Sequence, residues 1–159
     1  MLLGFLENEA FKGPSVRSFT SKDLWEIYAV RASLESLAAR EAAVRLTPEN
    51  AVQLRCILDK MILAAQNQDQ TEMVRLDNEF HETIIKISGN QVLYQLWQNL
   101  RFGYWTIVTT RMLSYDLEEL ARRHETLLEA VHSRNPQRAM AAMQHHIEDL
   151  GRPPQGPDP

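Results

Sequence analysis

The sequence predicts an all-α fold, an antiparallel bundle of about six helices, on three observations. Helix breakers are scarce: between Thr20 and Gly151 only Pro48, Gly89, Gly103 and Pro136 interrupt the chain. Apolar residues recur at steps of three and four, as in Leu24, Ile27, Tyr28, Leu34 and Ala38 or Leu117, Leu120, Leu127 and Val131, and no segment alternates with the period of a half-buried strand. Capping signals recur at intervals suited to helices of moderate length.

Each element has its own start or stop. Thr20 with Asp23 has capping-box spacing and opens a helix over 21–46. Thr47-Pro48 is an N-cap residue followed by proline at the first helical position, opening 48–67. Asp69 with Glu72 opens 70–88, and Ser88-Gly89-Asn90 supplies a left-handed stop before a fourth periodic segment over 91–112. Asp116 with Glu119 opens 117–134, and Asn135-Pro136 opens 136–150. The short connections favour antiparallel neighbours. Residues 1–20 do not continue the pattern, and 151–159 are too rich in proline to pack as helix and read as a disordered tail.

Composition narrows the function. A chain of 159 residues can bury one core without staples. Cys56 is the only cysteine, which excludes an internal disulfide and a thiolate-rich metal site. No apolar run reaches the roughly 20 residues of a membrane span, and the apolar start at Met1 lacks a basic flank. The expected location is the cytoplasm, with no membrane partner. A net charge of −4 argues against a phosphate-gripping surface on this chain.

The informative feature is ionisable side chains on faces that periodicity assigns to the interior. Met73, Asp77, Phe80, His81, Ile84 and Ser88 form one stripe, so Asp77 and His81 point inward one turn apart. His124 lies between Leu120 and Leu127 on the apolar stripe of its helix, and His146 aligns with Ala139, Met143 and Leu150. One inward histidine is more often a hydrogen-bonded core residue than a ligand. Four such groups together would cost roughly 1–3 kcal/mol for each unsatisfied neutral member, and more for the carboxylate. A divalent cation resolves all four, which predicts an interior metal site of Asp77, His81, His124 and His146. Imidazole nitrogen and carboxylate oxygen suit Zn or Ni, with Mn or Fe as alternatives. His132 and His145 read as solvated surface.

Arg31 and Glu35 share the apolar face of the first helix. As a surface pair at i, i+4 they would contribute about 0.2–0.5 kcal/mol. Alternatively, Arg31 reaches the metal cavity and binds a ligand carboxylate with its planar fork. The expected ligand is then a small carboxylate, gripped between cation and guanidinium.

Taken in order, Asp23-Leu-Trp-Glu-Ile-Tyr-Ala-Val-Arg31 with Glu35, Asp77-Asn-Glu-Phe-His81, Ser88-Gly-Asn90, His124-Glu125 with Leu128, and His146-Ile147 resemble the FadR-like C-terminal (FCD) domain of GntR-type transcription regulators. The resemblance spans about residues 20–150. It implies an effector-sensing and dimerising helical domain that binds a divalent metal through Asp77, His81, His124 and His146, with a small organic acid completing the coordination and Arg31 approaching it. It also implies a homodimer, and DNA contact only through an attached winged helix-turn-helix domain. Leu6 to Glu9 and Gly13 to Thr20 look like the end of a recognition helix and of a wing, so 1–20 read as a remnant of, or linker from, that domain.

Two other functions fit the same residues. A metal-dependent hydrolase-like enzyme could use an open coordination position to activate water. However, His81-Glu82 and His124-Glu125 lack the second histidine of the zinc-protease motif, and each glutamate is turned about 100° away from its neighbouring histidine around the helix. The chain is therefore read as a non-enzyme. A metal-free interaction module would keep the fold and treat the histidines as core.

Overall fold

The computed structural model describes residues 6–9, 13–16, 20–100, 103, 106, 109–110 and 115–151. Six helices are described: α1 (Ser21–Arg45), α2 (Pro48–Gln66), α3 (Gln70–Ile87), α4 (Gln91–Leu100), α5 (Leu117–His132) and α6 (Pro136–Gly151). None of them is long and apolar enough to cross a membrane. The expected helix over 91–112 is seen as α4 and as helical Gly103, Thr106, Thr109 and Thr110; the residues among these lie outside the described ones. The proline-rich tail 152–159 lies there too.

The helix starts follow from local chemistry. The Thr20 hydroxyl accepts from the Asp23 amide at 3.2 Å, and the Asp23 carboxylate accepts from the Thr20 amide at 2.8 Å. Thr47 and Asn50 repeat the reciprocal arrangement ahead of α2. Asp69, Asn90, Asp116 and Asn135 cap α3, α4, α5 and α6 through their side-chain oxygens. Each cap satisfies an amide that the first turn would otherwise leave without a partner. Gly89 turns the chain between α3 and α4 at φ 71°, a backbone region that a Cβ disfavours.

Preceding the bundle, β1 (Leu6–Glu9) pairs antiparallel with β2 (Gly13–Val16), with Leu6 opposite Val16 and Glu9 opposite Gly13. This corrects the sequence reading of Leu6 to Glu9 as a helix end. The strand is defined by its pairing partner, and four residues hold too little periodicity to reveal that partner.

In the bundle α1 lies along α6, α2 against α3 and α5, and α5 against α6. The α1–α6 approach is close where α6 ends: a Cβ on Gly151 would sit 2.5 Å from the Tyr28 Cβ. The main core joins Tyr28, Leu54, Leu58, Met61, Phe80, Ile84, Leu127, Val131, Met143 and Ile147, all essentially inaccessible. A smaller cluster of Leu24, Ala38, Ile85, Leu93 and Trp97 seats α4 on α1 and α3. Between the two clusters lies a group of buried ionisable side chains.

Candidate metal centre

Three helices deliver the polar group. Asp77 and His81 project from one face of α3, His124 from the buried stripe of α5, and His146 from that of α6; their exposures are 4%, 0%, 2% and 5%. One nitrogen from each of His81, His124 and His146 lies within 4.8 Å of the other two. The His81 and His124 Nε2 atoms are 3.3 Å apart. Asp77 joins from the His124 side: its Oδ1 is 3.0 Å from His124 Nε2 and 3.9 Å from His81 Nε2. Both ring pairs made by His146 are close, with centroids 4.4 Å from His124 and 5.2 Å from His81. His132 and His145 are exposed, as expected from the sequence.

The outward nitrogens fix what the inward ones can do. His124 Nδ1 faces the carbonyl oxygens of Leu120 and Ala121 at 3.2 and 3.1 Å, which can only accept, so this nitrogen carries the hydrogen. His81 Nδ1 faces Glu35 Oε2 at 2.5 Å. Burial pushes the Glu35 carboxyl up, but Arg31, His81 and the Trp97 indole more than offset this and bring it down to about 2. Glu35 is therefore an ionised acceptor, and His81 donates to it. With Nδ1 of each ring turned to an outward acceptor, the Nε2 atoms of His81 and His124 face each other and an Asp77 oxygen. Electron-rich atoms at such separations repel unless a proton or a cation stands between them.

Hydrogen-bond accounting points to the same place. Among the described residues, the buried side-chain atoms without a hydrogen-bond partner are Asp77 Oδ2 and His146 Nε2, both in this cluster. Buried polar atoms are normally paired, and each exception calls for an explanation such as a bound ion. Burial, followed by the neighbouring His124 and His81, pushes His146 well below the ordinary histidine value. Burial likewise lowers His124, against the opposing pull of Asp77. For Asp77 the cost of burial is exceeded by the His124 hydrogen bond and by the charges of His81, His124 and Arg31, so it stays well below the usual carboxylate range. The site thus presents an ionised carboxylate beside two imidazoles, His124 and His146, whose burial disfavours the charged form, as metal binding requires. By donor type and geometry, the three histidines could hold a divalent ion.

Arg31 is buried, with 1% exposure. Its Nε donates to Glu35 Oε1 at 2.7 Å, its Nη1 to Thr106 Oγ1 at 2.9 Å, and its Nη2 stands 3.9 Å from Asp77 Oδ2. The surface-pair alternative for Arg31 and Glu35 is thereby excluded, since both are interior. Two contributors escaped the sequence reading. Glu35 holds His81, and Trp97 on α4 donates its indole N–H to Glu35 Oε1 at 2.8 Å. The available signals were an inward carboxylate four residues after Arg31 and an indole N–H on the apolar stripe of α4, but neither named its partner.

His146 also lines, with Arg123, His145 and Asp149, an open cleft of about 260 Å³ between α5 and α6. A wider cleft of about 730 Å³ between α2 and α3, bordered by Arg75, Glu79, Glu82 and Lys86, shares no residue with the cluster.

Residues 26–149 match the FCD domain family. The chain is 31% identical over 156 residues to the HTH-type transcriptional regulator YdhC of Bacillus subtilis, covering 92% of this chain and 68% of that one. It is 32% identical over 133 residues to the Uxu operon regulator of Haemophilus influenzae, covering 79% and 49%. In fold it resembles Escherichia coli McbR/YncC (TM-score 0.75, 21% identity, 92% of this chain and 77% of that one). It also resembles the FCD domain of TM0439 solved metal-free (TM-score 0.66, 15% identity, 85% and 93%). The chain belongs to the FCD family of GntR-type transcription regulators. It spans between about half and two thirds of the length of the curated relatives it matches, and these are named as regulators of transcription.

Proposed function

We propose that this domain senses a small organic acid through a divalent metal ion held by Asp77, His81, His124 and His146. The observation that carries the reading is the convergence of three imidazoles on one point, with Asp77 Oδ2 and His146 Nε2 beside it lacking hydrogen-bond partners. A bound cation would give these atoms a partner and supply a Lewis-acidic position for an oxygen donor. Zn or Ni suits the three nitrogens and one carboxylate best. A metal with further open positions would leave them for water or for the carboxylate oxygens of an effector. Arg31, 3.9 Å from Asp77, is placed to answer a carboxylate arriving beside the ion.

The wider regulator belongs to the same proposal. Residues 1–20 are read as the connection to a DNA-binding winged helix-turn-helix domain, and the domain as one half of a homodimer whose arrangement responds to the effector. The proposed location is the cytoplasm. A metal-dependent hydrolase is disfavoured because the carboxylate nearest the cluster besides Asp77 is Glu35, which is committed to Arg31, His81 and Trp97 and cannot serve as a free base.

Thermal shift with a panel of small carboxylic acids tests the reading, on metal-loaded and on chelator-stripped protein. Stabilisation by at least one acid that depends on the metal is the expected result. Indifference of the loaded protein to every acid, or equal responses with and without metal, contradicts it.

A further inference from the structure

The metal reading leaves two buried polar groups unused, and they form a chain leading away from the cluster. Glu35 is wholly inaccessible, and its two oxygens are divided between inward and outward neighbours. Oε2 meets His81 Nδ1, while Oε1 accepts from the Arg31 Nε at 2.7 Å and from the Trp97 indole at 2.8 Å. Trp97 is 4% exposed and packs with Leu24, Ala38, Ile85 and Leu93, the cluster that fixes α4 to the bundle. Only the two-bond path through the Glu35 carboxylate separates the His81 ring from α4.

We propose that Glu35 is a positioning residue that sets the tautomer and orientation of His81, and that the Glu35–Trp97 hydrogen bond carries the occupancy of the site to α4. This inference rests on the metal reading given above. A metal held by His81 would withdraw charge from the imidazole and strengthen its Nδ1–H donor, which would draw the Glu35 carboxylate towards His81. Oε1 then has less charge to offer Arg31 and Trp97. An effector carboxylate that engages Arg31 acts on the same oxygen from the other side, because Arg31 and Trp97 share it. The indole N–H of Trp97 therefore registers either event on α4. Tyr94, one turn earlier on α4, donates to Glu82 on α3 at 2.8 Å, so α4 is held to the metal-bearing helix by a second polar contact and does not simply detach when the first one weakens.

The test combines zinc affinity with a reporter on Trp97. Full-length protein is stripped with chelator and titrated with zinc against a chromophoric competitor, in the wild type, Glu35→Gln and Trp97→Phe. The indole N–H resonances are followed by NMR, with that of Trp97 assigned by its loss in Trp97→Phe. Zinc is expected to shift the Trp97 indole resonance in the wild type, and zinc affinity to fall roughly 10–100-fold in Glu35→Gln, as for other groups that orient a ligating histidine. Trp97→Phe keeps an aromatic side chain but removes the donor and some core volume, so a smaller loss of zinc affinity, of roughly threefold or more, is expected, together with a lower melting temperature of the metal-free protein. Should Glu35→Gln fail to fold, Trp97→Phe and the wild-type indole shift still decide the matter. Zinc binding within twofold of wild type in the folded variants, or a Trp97 resonance that zinc leaves in place, overturns the inference while the metal site stands. Wild-type protein that takes up no zinc removes the metal site itself, and this inference with it.

Discussion

Replacing His146 by leucine should have opposite effects on the metal-free and metal-loaded protein. In the absence of metal, His146 Nε2 is buried without a hydrogen-bond partner on a side chain only 5% exposed. An orphaned buried polar group costs about 1–3 kcal/mol, which an apolar side chain of similar volume relieves, whereas an imperfect shape match costs up to about 1.5 kcal/mol. His146→Leu should therefore leave the stripped protein as stable as wild type or up to about 3 kcal/mol more stable, raising Tm by as much as roughly 10 °C. Free zinc at 100 times the wild-type Kd stabilises the wild type by about 2.7 kcal/mol. For a variant whose affinity is weaker by about 100-fold, the same zinc contributes only about 0.4 kcal/mol. Thermal melts with EDTA and with zinc at pH 7.5 measure both effects. A stripped variant destabilised by more than about 2 kcal/mol would show that the His146 ring has a partner after all. An undiminished zinc shift would show that it is not a ligand. Either result refutes the reasoning.

Acid should weaken the metal-free domain. His124 and His146 are lowered by burial, so the unfolded chain takes up protons near pH 6.5 that the folded state refuses; stability is full above that value and declines below it, with a shallower slope in His146→Leu, as urea melts between pH 7.5 and 5 would reveal. Arg31→Lys keeps a charge but loses the fork that joins Glu35 and Thr106. We expect a loss of about 1–3 kcal/mol on unfolding and no acid-dependent thermal shift, with zinc uptake retained; an unchanged acid response would exclude Arg31 from the effector site. Gly151→Ala places a Cβ 2.5 Å from Tyr28 and should cost about 1–3 kcal/mol without altering zinc affinity, and a neutral result in denaturant melts would mean that α6 can yield there.

The helices and most of their starts were legible because caps act over three or four residues. Thr20, Thr47, Asp69, Asp116 and Asn135 each state their role within one turn of sequence. Some ends were less legible: Gln68 and Arg134 take φ 57° and 55° where α2 and α5 stop, with no glycine to mark them. The inward direction of Asp77, His81, His124 and His146 could be read because a helix face is a local property, and all four are buried as their stripes require. Which neighbours those side chains meet is a property of how the helices are arranged. Glu35 accordingly read as one member of a local pair with Arg31, although its partners also include His81 and Trp97, separated from it by 46 and 62 residues. The hairpin at Leu6–Glu9 and Gly13–Val16 was missed for the same reason, since pairing across two short segments defines it.

X-ray absorption spectroscopy on the zinc-loaded protein tests the central claim most directly, because it counts the atoms around the ion. The account predicts a first shell containing three imidazole nitrogens at about 2.0–2.1 Å and carboxylate oxygen at about 2.0–2.2 Å. A shell made only of oxygen, or one with a single imidazole, would place the ion elsewhere on the protein and contradict it.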